Sequence, residues 1–379
     1  MTWACVQQTV EQALGTTFPA VVLEVRRAGK VVFAGAWGYL DPDADREPAR
    51  GDTRFDLASV TKLFALTVLM SFAECGALAL DQPVREVLPE FNGQRPLRPY
   101  EDPLHPGKFV EVVSPTDSCA DAGRVTFRHL LAHHSGLPAW RPLYQEPSAA
   151  AARQMALRTH FSSPIGVRVV YSDIGFILLG LALERLAHQP LDRILDERVL
   201  SPLHLSATGY KPRSPDACAP TEICAWRGRR LRGEVDDENA ARLDGVSGHA
   251  GLFATVSDVA ALGQMYLAGG QSNLNAATVA EMTRLQAEDG AVRRGLGFAL
   301  WSSDPESSGN PFSPRAFGHN GFTGTSLWID PARELVVACL TNRVYYGRDP
   351  RGITSFRVAL HRAVVDAVDQ DMGRKGKGI

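Results

Sequence analysis

Short runs of β-forming residues occur near both ends of the chain. Ala20–Arg26 and Val31–Ala36 are two such runs separated by an Ala-Gly turn, a pattern typical of a hairpin. The segment SLWIDPARELVVACLTN (residues 326–342) contains two further runs around an Asp-Pro-Ala-Arg turn. Gly297–Trp301 is another candidate strand. The pattern therefore predicts that strands lie in the two terminal parts of the chain.

Helical spacing of apolar positions dominates the region between these strands. The longest example, SVTKLFALTVLMSFAECGALAL (residues 59–80), is apolar on nearly every face, which is typical of a central, buried helix. Serine is a residue type that caps helices, so we expect this helix to begin near Ser59. The other predicted helices are roughly the first 15 residues, Val125–Ala132, Pro147–Arg158, Asp173–His188, Ser257–Ala268 and Arg357–Asp369.

Taken together, these elements predict an α/β (α+β) fold. We expect an antiparallel sheet built from the N- and C-terminal segments and flanked by helices, with a mostly helical subdomain inserted between them. In this interpretation residues 1–379 form a single domain. Residues 1–58 and 245–379 supply the sheet and its flanking helices, and residues 59–244 form the mostly helical part.

The charge and composition of the chain exclude several classes of function. With 45% apolar and 22% charged residues and a net charge of −2, the sequence is typical of a globular protein and contains no basic stripe, so we expect no nucleic-acid partner. The one cationic cluster, Arg227–Arg232, fits a solvated loop. No apolar run approaches the length of a membrane span. Because no secretory signal is visible, we expect a cytoplasmic protein; the sequence leaves open whether an export signal was removed.

The sequence also gives no indication of a metal or cofactor site. Its six cysteines form no C-x-x-C pair and are expected to be reduced thiols, although Cys218 and Cys224 could pair in an oxidising compartment. His129, His133 and His134 have helical spacing, but no acidic residue follows in the H-E-x-x-H manner, so we expect no metal site. The chain contains no G-K-[ST] phosphate loop and no G-x-S-x-G elbow.

Ser59 and Lys62 are the first candidates for catalytic chemistry. Residues three apart on a helix share a face, so the lysine amine can reach the serine hydroxyl. A serine near a helix N terminus also lies where the helix dipole favours negative charge. To act as a base the lysine must be neutral although its ordinary pKa is about 10.4, and we expect burial in the apolar helix to lower that pKa. The same spacing arises by chance in a chain of this length, and a capping serine beside a solvated lysine is the alternative interpretation.

Two further motifs follow this pair along the chain. Tyr171-Ser172-Asp173 lies at the start of an apolar helical run, and His319-Asn320-Gly321 precedes the C-terminal hairpin. In this order the motifs resemble those of the serine β-lactamase and penicillin-binding-protein superfamily, in particular the branch of class C β-lactamases, D-alanyl-D-alanine carboxypeptidases and esterases. Supporting phrases are VTFRHLLAHHSGLP, GHAGLFATVSDVA and FGHNGFTGTSLWIDP, which extend the resemblance over most of the chain.

The resemblance implies a role for each matching residue. Ser59 would attack the substrate carbonyl and form an acyl-enzyme, while Lys62 and Tyr171 share the transfer of its proton. The backbone N–H groups of Ser59 and Phe322 would form the oxyanion hole. The remaining matches are expected to contact the substrate: Asp173, His319, Asn320 and Gly321. From the residues alone, Tyr171 could instead be an ordinary aromatic residue at a helix start, and Asp173 could be a helix cap.

Two departures from the family pattern affect the expected substrate. Asp173 replaces the asparagine of true β-lactamases, and His319 replaces a lysine, so both changes make the pocket less cationic and weaken its hold on a carboxylate. We therefore expect a serine hydrolase acting on an ester or a small amide, like an esterase or a D-amino-acid peptidase, with weak β-lactamase activity at most. Its expected partner is a small-molecule ester, amide or peptide substrate. The alternative is a catalytically silent relative that binds or scaffolds through the same cleft. The oligomeric state stays open.

Overall fold

Strands lie at both ends of the chain in the computed structural model, which describes residues 3–105, 107–111, 118–271 and 273–375. The strands are, in chain order, β1 (Ala20–Arg27), β2 (Lys30–Asp41), β3 (Asp45–Pro48), β4 (Phe55–Asp56), β5 (Gln94–Pro96), β6 (Tyr100–Glu101), β7 (Phe109–Val110), β8 (Cys119–Asp121), β9 (Gly209–Tyr210), β10 (Ile223–Cys224), β11 (Arg229–Arg230), β12 (Leu252–Ala254), β13 (Ala287–Asp289), β14 (Val292–Arg294), β15 (Ala299–Leu300), β16 (Phe317–Asn320), β17 (Ser326–Asp330) and β18 (Leu335–Thr341).

Helices fill most of the chain between the terminal strands and also form its two ends. They are α1 (Ala4–Ala13), α2 (Thr61–Glu74), α3 (Phe127–Leu131), α4 (Ala149–Leu157), α5 (Asp173–Ala187), α6 (Leu191–Leu195), α7 (Glu238–Arg242), α8 (Val256–Leu267), α9 (Ala276–Thr283) and α10 (Arg351–Lys375). No helix among the described residues is both long enough and apolar enough to cross a bilayer.

The central sheet draws on both ends of the chain. Within the described residues it has nine strands in the order β13-β14-β15-β16-β17-β18-β1-β2-β3, and every neighbouring pair is antiparallel. β1 lies between β2 and β18, so Val21 pairs with Trp37 on one side and with Thr341 on the other. The predicted fold class is confirmed: an α/β (α+β) fold whose antiparallel sheet combines N- and C-terminal segments.

Strand β18 is buried on both faces, which explains its uninterrupted apolar sequence. Successive side chains of a strand point to opposite faces of the sheet. Val337 and Cys339 pack into the core formed with α1 and α10, and Ala338 and Leu340 pack into the larger core that includes α8. A strand covered by helices on both faces needs no polar alternation.

Helix α2 is buried around almost its whole circumference, as its apolar sequence predicts. It packs against α5 and α6, and all residues from Thr61 to Met70 are buried. The predicted helix start near Ser59 is correct to within two residues, but the capping role expected of the serine is not. Ser59 lies in a 3-10 turn over Ala58–Val60, Val60 occupies the cap position, and no side chain caps the helix. The reason is that the serine hydroxyl is bonded to Lys62 instead.

The loop-rich segments differ most from the sequence expectations. The described part of residues 81–123, for which the sequence pattern predicts no helix or strand, contains the short strands β5 to β8. Helices α6 and α9 have no counterpart among the predicted elements, because helices of five and eight residues contain too few positions to show a helical period. The C-terminal helix also extends beyond the predicted bounds at both ends. The division into subdomains at residues 58/59 and 244/245 stays a prediction.

Candidate active site

Ser59 and Lys62 face each other at the start of α2. The 3-10 turn leads directly into the helix, so the two side chains project from the same side of the chain. Lys62 Nζ donates one hydrogen bond to Ser59 Oγ at 2.8 Å and another to the carbonyl oxygen of His249 at 3.1 Å. Lys62 is fully buried, whereas Ser59 is half-buried and lines a cavity. The geometry permits proton exchange between the two side chains.

The residue before Ser59 has an unusual backbone conformation. Ala58 has a φ of 45°, in the left-handed region that residues with a Cβ rarely adopt. Its N–H donates to Asp56 Oδ1 at 2.8 Å, and burial raises the pKa of the Asp56 carboxyl to about 6. Strained backbone of this kind persists only where the surrounding structure holds it, and it is concentrated at functional sites. At Ala58 it sets the direction in which the chain enters the 3-10 turn.

Asp173 is the ion-pair partner of Lys62. Its Oδ1 lies 2.7 Å from Lys62 Nζ, while the preceding residue, Ser172, caps α5 with its hydroxyl. Burial alone would lower the pKa of Lys62, but the Asp173 carboxylate, helped by Tyr171, outweighs it and raises that pKa above its ordinary value. The expectation of a lowered lysine pKa is therefore wrong, because the sequence does not show how near Asp173 lies. Lys62 is an ammonium ion at neutral pH.

Tyr171 lies beside the same lysine. Lys62 Nζ is 5.0 Å from the centroid of the phenol ring, and the buried hydroxyl makes no hydrogen bond of good geometry with the described residues. Burial raises the pKa of Tyr171; Lys62 opposes the rise and Asp173 adds to it. At rest the site thus holds an ammonium ion next to a neutral phenol. One proton must leave this group before it can accept the proton of Ser59.

The turn Gly321–Thr325, between β16 and β17, is bonded to the segment that precedes the nucleophile candidate. Thr323 Oγ1 donates to the carbonyl oxygen of Asp56 at 2.7 Å, and Thr325 Oγ1 donates to that of Leu57 at 2.8 Å. These two bonds join parts of the chain more than 260 residues apart. They fix the spacing between the turn and the backbone that leads to the 3-10 turn.

This close approach brings two backbone N–H groups to one cavity. Gly321 has no room for a side chain, because a Cβ would lie 2.5 Å from the carbonyl oxygen of Leu57. Neither Ser59 nor Phe322 donates its backbone N–H to an acceptor within the described ranges, and both residues line the cavity. Two free backbone donors beside a serine hydroxyl are the groups that an oxyanion hole requires.

His319 and Asn320 are held by the protein itself. His319 Nδ1 lies 2.9 Å from the carbonyl oxygen of Asn320 and therefore carries the proton, so its buried Nε2, which has no partner among the described residues, is an acceptor. Burial, reinforced by Lys62, keeps the pKa of His319 well below its ordinary value. The Asn320 carboxamide accepts from Trp328 Nε1 at 3.1 Å and donates to Ser308 Oγ at 2.7 Å. His319 consequently offers a ligand a neutral acceptor and no positive charge.

A histidine–aspartate pair supports the carbonyl group that binds Lys62. His249 Nε2 lies 2.9 Å from Asp237 Oδ1, and His249 Nδ1 lies 2.8 Å from Ser247 Oγ. Burial alone would raise the pKa of Asp237, but His249 outweighs it and the pKa falls to about 2. With both ring nitrogens bonded, His249 is fixed, and so is the carbonyl oxygen that accepts from Lys62 Nζ.

The cavity beside Ser59 has a volume of about 490 Å³ and contains a cation that the sequence motifs do not indicate. Arg294, at the end of β14, lies with its Cζ 5.3 Å from the centroid of the Tyr171 ring. Its Nε is buried without a partner, and no carboxylate within the described part of the chain pairs with it. Another part of the cavity wall is acidic and includes Asp236, Asp237 and Glu238.

Comparison with known proteins identifies the family. A model of the Beta-lactamase family matches residues 6–360. The chain belongs to the Beta-lactamase family. An N-acetylmuramyl-L-alanine amidase of Bacillus subtilis (strain 168) is 32% identical to it over 89% of this chain and 80% of that protein. A protein of Escherichia coli (strain K12), named provisionally as a D-alanyl-D-alanine carboxypeptidase, is 30% identical over 88% of this chain and 80% of its own length.

Solved structures of the same fold agree with this assignment. EstCE1, described as a hydrolase with promiscuous acyltransferase activity, superposes with a TM-score of 0.72 at 22% identity, over 94% of this chain and 98% of that one. Unliganded simvastatin synthase (LovD) of Aspergillus terreus gives 0.72 at 20% identity, over 96% and 98%. At this level of identity the likeness concerns the fold. The predicted family resemblance is confirmed, and the relatives identify a family of hydrolases.

Several residues that shape the site of this Beta-lactamase family member were not found from the sequence. Thr323 and Thr325 lie inside the phrase FGHNGFTGTSLWIDP, so the family resemblance indicates their positions but not their roles. Asp237, Arg294 and Arg357 belong to none of the motifs. Only the three-dimensional arrangement brings them to the cavity.

One cluster of side chains has the spacing of a metal site. Glu222, Cys224 and Glu238 offer ligand atoms that all lie within 4.8 Å of one another. Arg348 forms ion pairs with both glutamates, so a guanidinium already supplies the positive charge there. Cys224 is a free thiol, as is Cys218, with which the sequence allowed it to pair.

Two of the three histidines with helical spacing, His129 and His133, have separate structural partners. His129 Nδ1 lies 3.2 Å from the N–H of Thr126 in the capping box of α3, and His133 Nδ1 accepts from the N–H of Ser172 at 3.0 Å. His134 joins neither of them in a group of ligand atoms within the described residues. The hydrogen bond from Ser172 N–H to His133 Nδ1 fixes the backbone at the start of α5.

Proposed function

We propose that this protein is a serine hydrolase that acts through an acyl-enzyme on an ester or a small amide. The observation that carries the proposal is the 2.8 Å hydrogen bond from Lys62 Nζ to Ser59 Oγ at a cavity lined by Ser59 and Phe322, whose backbone N–H groups have no acceptor among the described residues. A nucleophile, its proton partners and two oxyanion donors are the parts that acyl transfer needs. Relatives named as an amidase and a carboxypeptidase support the same reaction class.

In the proposed reaction a base accepts the Ser59 proton while Oγ attacks the substrate carbonyl carbon. Either neutral Lys62 or ionised Tyr171 is that base, and each exists only after the resting group has lost one proton. The carbonyl oxygen becomes negatively charged and accepts hydrogen bonds from the N–H groups of Ser59 and Phe322. The protonated base then donates to the departing alcohol or amine. Water attacks the acyl-enzyme with the same proton transfers and releases the acid.

A second candidate, a D-amino-acid peptidase, is favoured by Arg294. Asp173 is paired with Lys62, and His319 is neutral, so neither offers a positive charge to a carboxylate. Arg294 lines the same cavity and has no acidic partner among the described residues, and guanidinium groups bind carboxylates well. A peptide with a free C-terminal carboxylate therefore has a cation to bind. Ester and peptide activities share the same nucleophile and differ in whether they use Arg294.

Covalent labelling tests the proposed nucleophile. We expect a fluorophosphonate at mildly alkaline pH to add one phosphonyl group to the wild type, at Ser59 by peptide mass mapping, and to leave Ser59→Ala unlabelled. Ser135→Ala is the matched control, because Ser135 is buried and belongs to none of the proposed catalytic groups. No adduct on Ser59 at high reagent concentration contradicts the proposal and favours a catalytically silent binding protein.

Substrate comparison separates the candidate activities. We expect p-nitrophenyl butyrate to be turned over faster than nitrocefin; the reverse order contradicts the ester or amide proposal. A D-Ala-D-Ala peptide and N-acetylmuramyl-L-alanine test the two amide substrates suggested by the relatives' names. The variant Arg294→Met should lower kcat/KM for the carboxylate-bearing peptide by about 10-fold or more and change ester turnover little, because only the peptide has a charged partner for the guanidinium.

A further inference from the structure

Helix α10 carries a buried arginine to the turn that holds Phe322. Arg357 is 7% exposed, and its Nη2 donates to the carbonyl oxygens of Gly321 at 2.7 Å and Thr325 at 2.8 Å. Its Nε is buried without a partner, and no carboxylate in the described ranges forms an ion pair with it. Burial lowers the pKa of Arg357 to about 9, which leaves the guanidinium protonated at neutral pH. A permanent cation thus lies under the turn, bonded to backbone carbonyls.

A buried guanidinium without a carboxylate partner is energetically unfavourable, so its presence calls for a functional explanation. Removing a charge from water carries a large desolvation penalty, which a nearby carboxylate usually offsets. Within the described part of the chain Arg357 has only neutral acceptors, and the neighbouring guanidinium of Arg343 adds repulsion. An apolar side chain of similar length would avoid both costs. Stability alone therefore does not account for an arginine at this position.

The bonded carbonyl group belongs to the same peptide unit as the proposed oxyanion donor. In the peptide between Gly321 and Phe322, the carbonyl oxygen accepts from Arg357, and the N–H, which has no acceptor among the described residues, belongs to a residue that lines the cavity. In a planar trans peptide these two groups point in opposite directions. A charged donor on the oxygen withdraws electron density from the amide, and hydrogen bonds in such a chain strengthen one another. The N–H of Phe322 becomes a stronger donor on the cavity side.

The geometry points to Arg357 as a positioning residue of the oxyanion hole, which holds the Gly321–Phe322 peptide in place and polarises its N–H group toward the developing oxyanion. This inference rests on the proposed acyl-enzyme function. A second arginine acts on the following peptide, since Arg343 Nε donates to the carbonyl oxygen of Phe322 at 2.8 Å. Phe322 is therefore held by a guanidinium on each side. The positive charge favours a state in which negative charge appears on the substrate oxygen, that is, the transition state over the bound substrate.

The test compares Arg357→Met, Arg357→Gln and Arg357→Lys with the wild type, using p-nitrophenyl butyrate and a phenylboronic acid. The boronic acid forms a tetrahedral adduct with the serine hydroxyl and therefore reports affinity for the oxyanion hole. Loss of a whole oxyanion donor costs about 10²- to 10³-fold in kcat, so loss of its polarisation in Arg357→Met should cost about 10- to 100-fold. We expect KM to stay within about twofold and boronate affinity to fall with kcat.

Arg357→Lys and Arg357→Gln separate the effect of the positive charge from the effect of side-chain shape. Arg357→Lys keeps a buried cation that can reach a carbonyl oxygen, so it should recover most of the lost rate, whereas neutral Arg357→Gln should not. Arg333→Met is the matched control. Arg333 also joins α10 to the sheet, through Asp369 at 2.9 Å and Asp330 at 2.9 Å, but it does not line the cavity. The control variant Arg333→Met should leave kcat and boronate affinity unchanged.

Three results would overturn the inference. One is a kcat for Arg357→Met within about twofold of the wild type. Another is a loss of kcat without a parallel loss of boronate affinity, and the third is Arg357→Lys being as impaired as Arg357→Met. If Arg357→Met does not fold, the comparison of Arg357→Lys with Arg357→Gln decides in the same way. A wild type that neither hydrolyses the ester nor labels at Ser59 overturns the proposed function as well, so the two failures are distinguishable.

Discussion

The two sides of the candidate site handle charge in opposite ways. On the helical side, Lys62 is buried next to a carboxylate, and its charge state depends on Asp173 and Tyr171. On the sheet side, the side chains of the turn Gly321–Thr325 are not ionisable, and the protonated guanidinium of Arg357 donates to the carbonyl oxygens of Gly321 and Thr325. In the proposed function, the first side exchanges protons and the second presents fixed dipoles. We therefore expect the helical side to set the pH dependence of the reaction and the sheet side to set its maximum rate.

The largest expected effect comes from removing the lysine of the proton-exchanging side. Lys62→Met should lower kcat for p-nitrophenyl butyrate by about 10³- to 10⁴-fold at every pH, because one of the two proposed bases and its hydrogen bond to Ser59 are both lost. Stopped-flow or prolonged steady-state assays measure the residual rate. The double variant Lys62→Met/Asp173→Asn controls for the carboxylate left unpaired. A residual kcat above a tenth of the wild-type value would mean that Lys62 is not part of the proton path.

A smaller loss should follow when the sheet side is displaced. Gly321→Ala introduces a Cβ 2.5 Å from the Leu57 carbonyl oxygen, so the turn must move and the N–H of Phe322 moves with it. We expect kcat to fall by about 10²-fold with no displacement of the pH profile, because no titrating group changes. Gly51→Ala is the control, since a Cβ there meets no atom within 4 Å. A displaced pH profile would contradict the separation of the two sides.

The pH dependence of the helical side should respond to Asp173→Asn. The Asp173 carboxylate raises the pKa of Lys62 and adds to the rise at Tyr171, so its removal lowers both. Activity requires the loss of one proton from this group, so the ascending limb of log kcat/KM against pH should move to lower pH by about one to three units. Glu90→Gln makes the same charge change in the exposed ion pair with Arg185 and should not move the ascending limb. A displacement of the ascending limb to higher pH would contradict the proposal that Lys62 or Tyr171 is the base.

The smallest effect on activity is expected at Asp236, in the acidic part of the cavity wall. Burial, with Glu222 and Asp56 adding to it, raises the pKa of Asp236 to about 8 from an ordinary 3.8. The folded state then binds this proton more tightly than the unfolded state, so Asp236 lowers stability progressively as pH rises from 3.8 to about 8. Asp236→Asn should raise the melting temperature increasingly over that range, with a constant gain above it and kcat unchanged. A gain that is independent of pH would contradict this.

Sequence reasoning was accurate where the contacts are local and failed where they are not. Ser59 and Lys62 are three residues apart, so a motif was enough to predict that they meet, and the ordered Tyr171 and His319 motifs led to the family. The direction of the lysine pKa was wrong because it depends on Asp173, more than 100 residues away, being 2.7 Å from Nζ. The cap at Ser59 was wrong because the hydroxyl has a better partner in Lys62.

The arginines show the same limit. Arg294 and Arg357 reach the cavity from β14 and α10, and no spacing rule connects either residue with Ser59. In addition, the pattern of apolar positions in a helix that covers a sheet does not predict a buried arginine. The continuous apolar run of β18, by contrast, follows from covering both faces of the strand, which the pattern alone could suggest.

The position of β1 between β2 and β18 sets an order in which the parts of the candidate site can assemble during synthesis. A ribosome releases β1, α2 and Ser59 early, but β1 acquires its second neighbour only when residues 335–341 have been made. Until then β1 has an unpaired edge, and the turn Gly321–Thr325 is not yet followed by the strand that joins it to β1. Arg357 arrives later still. If the proposed function is correct, a nascent chain that ends before Arg357 should lack full hydrolytic activity, because the bond from α10 to the Gly321 carbonyl oxygen is missing.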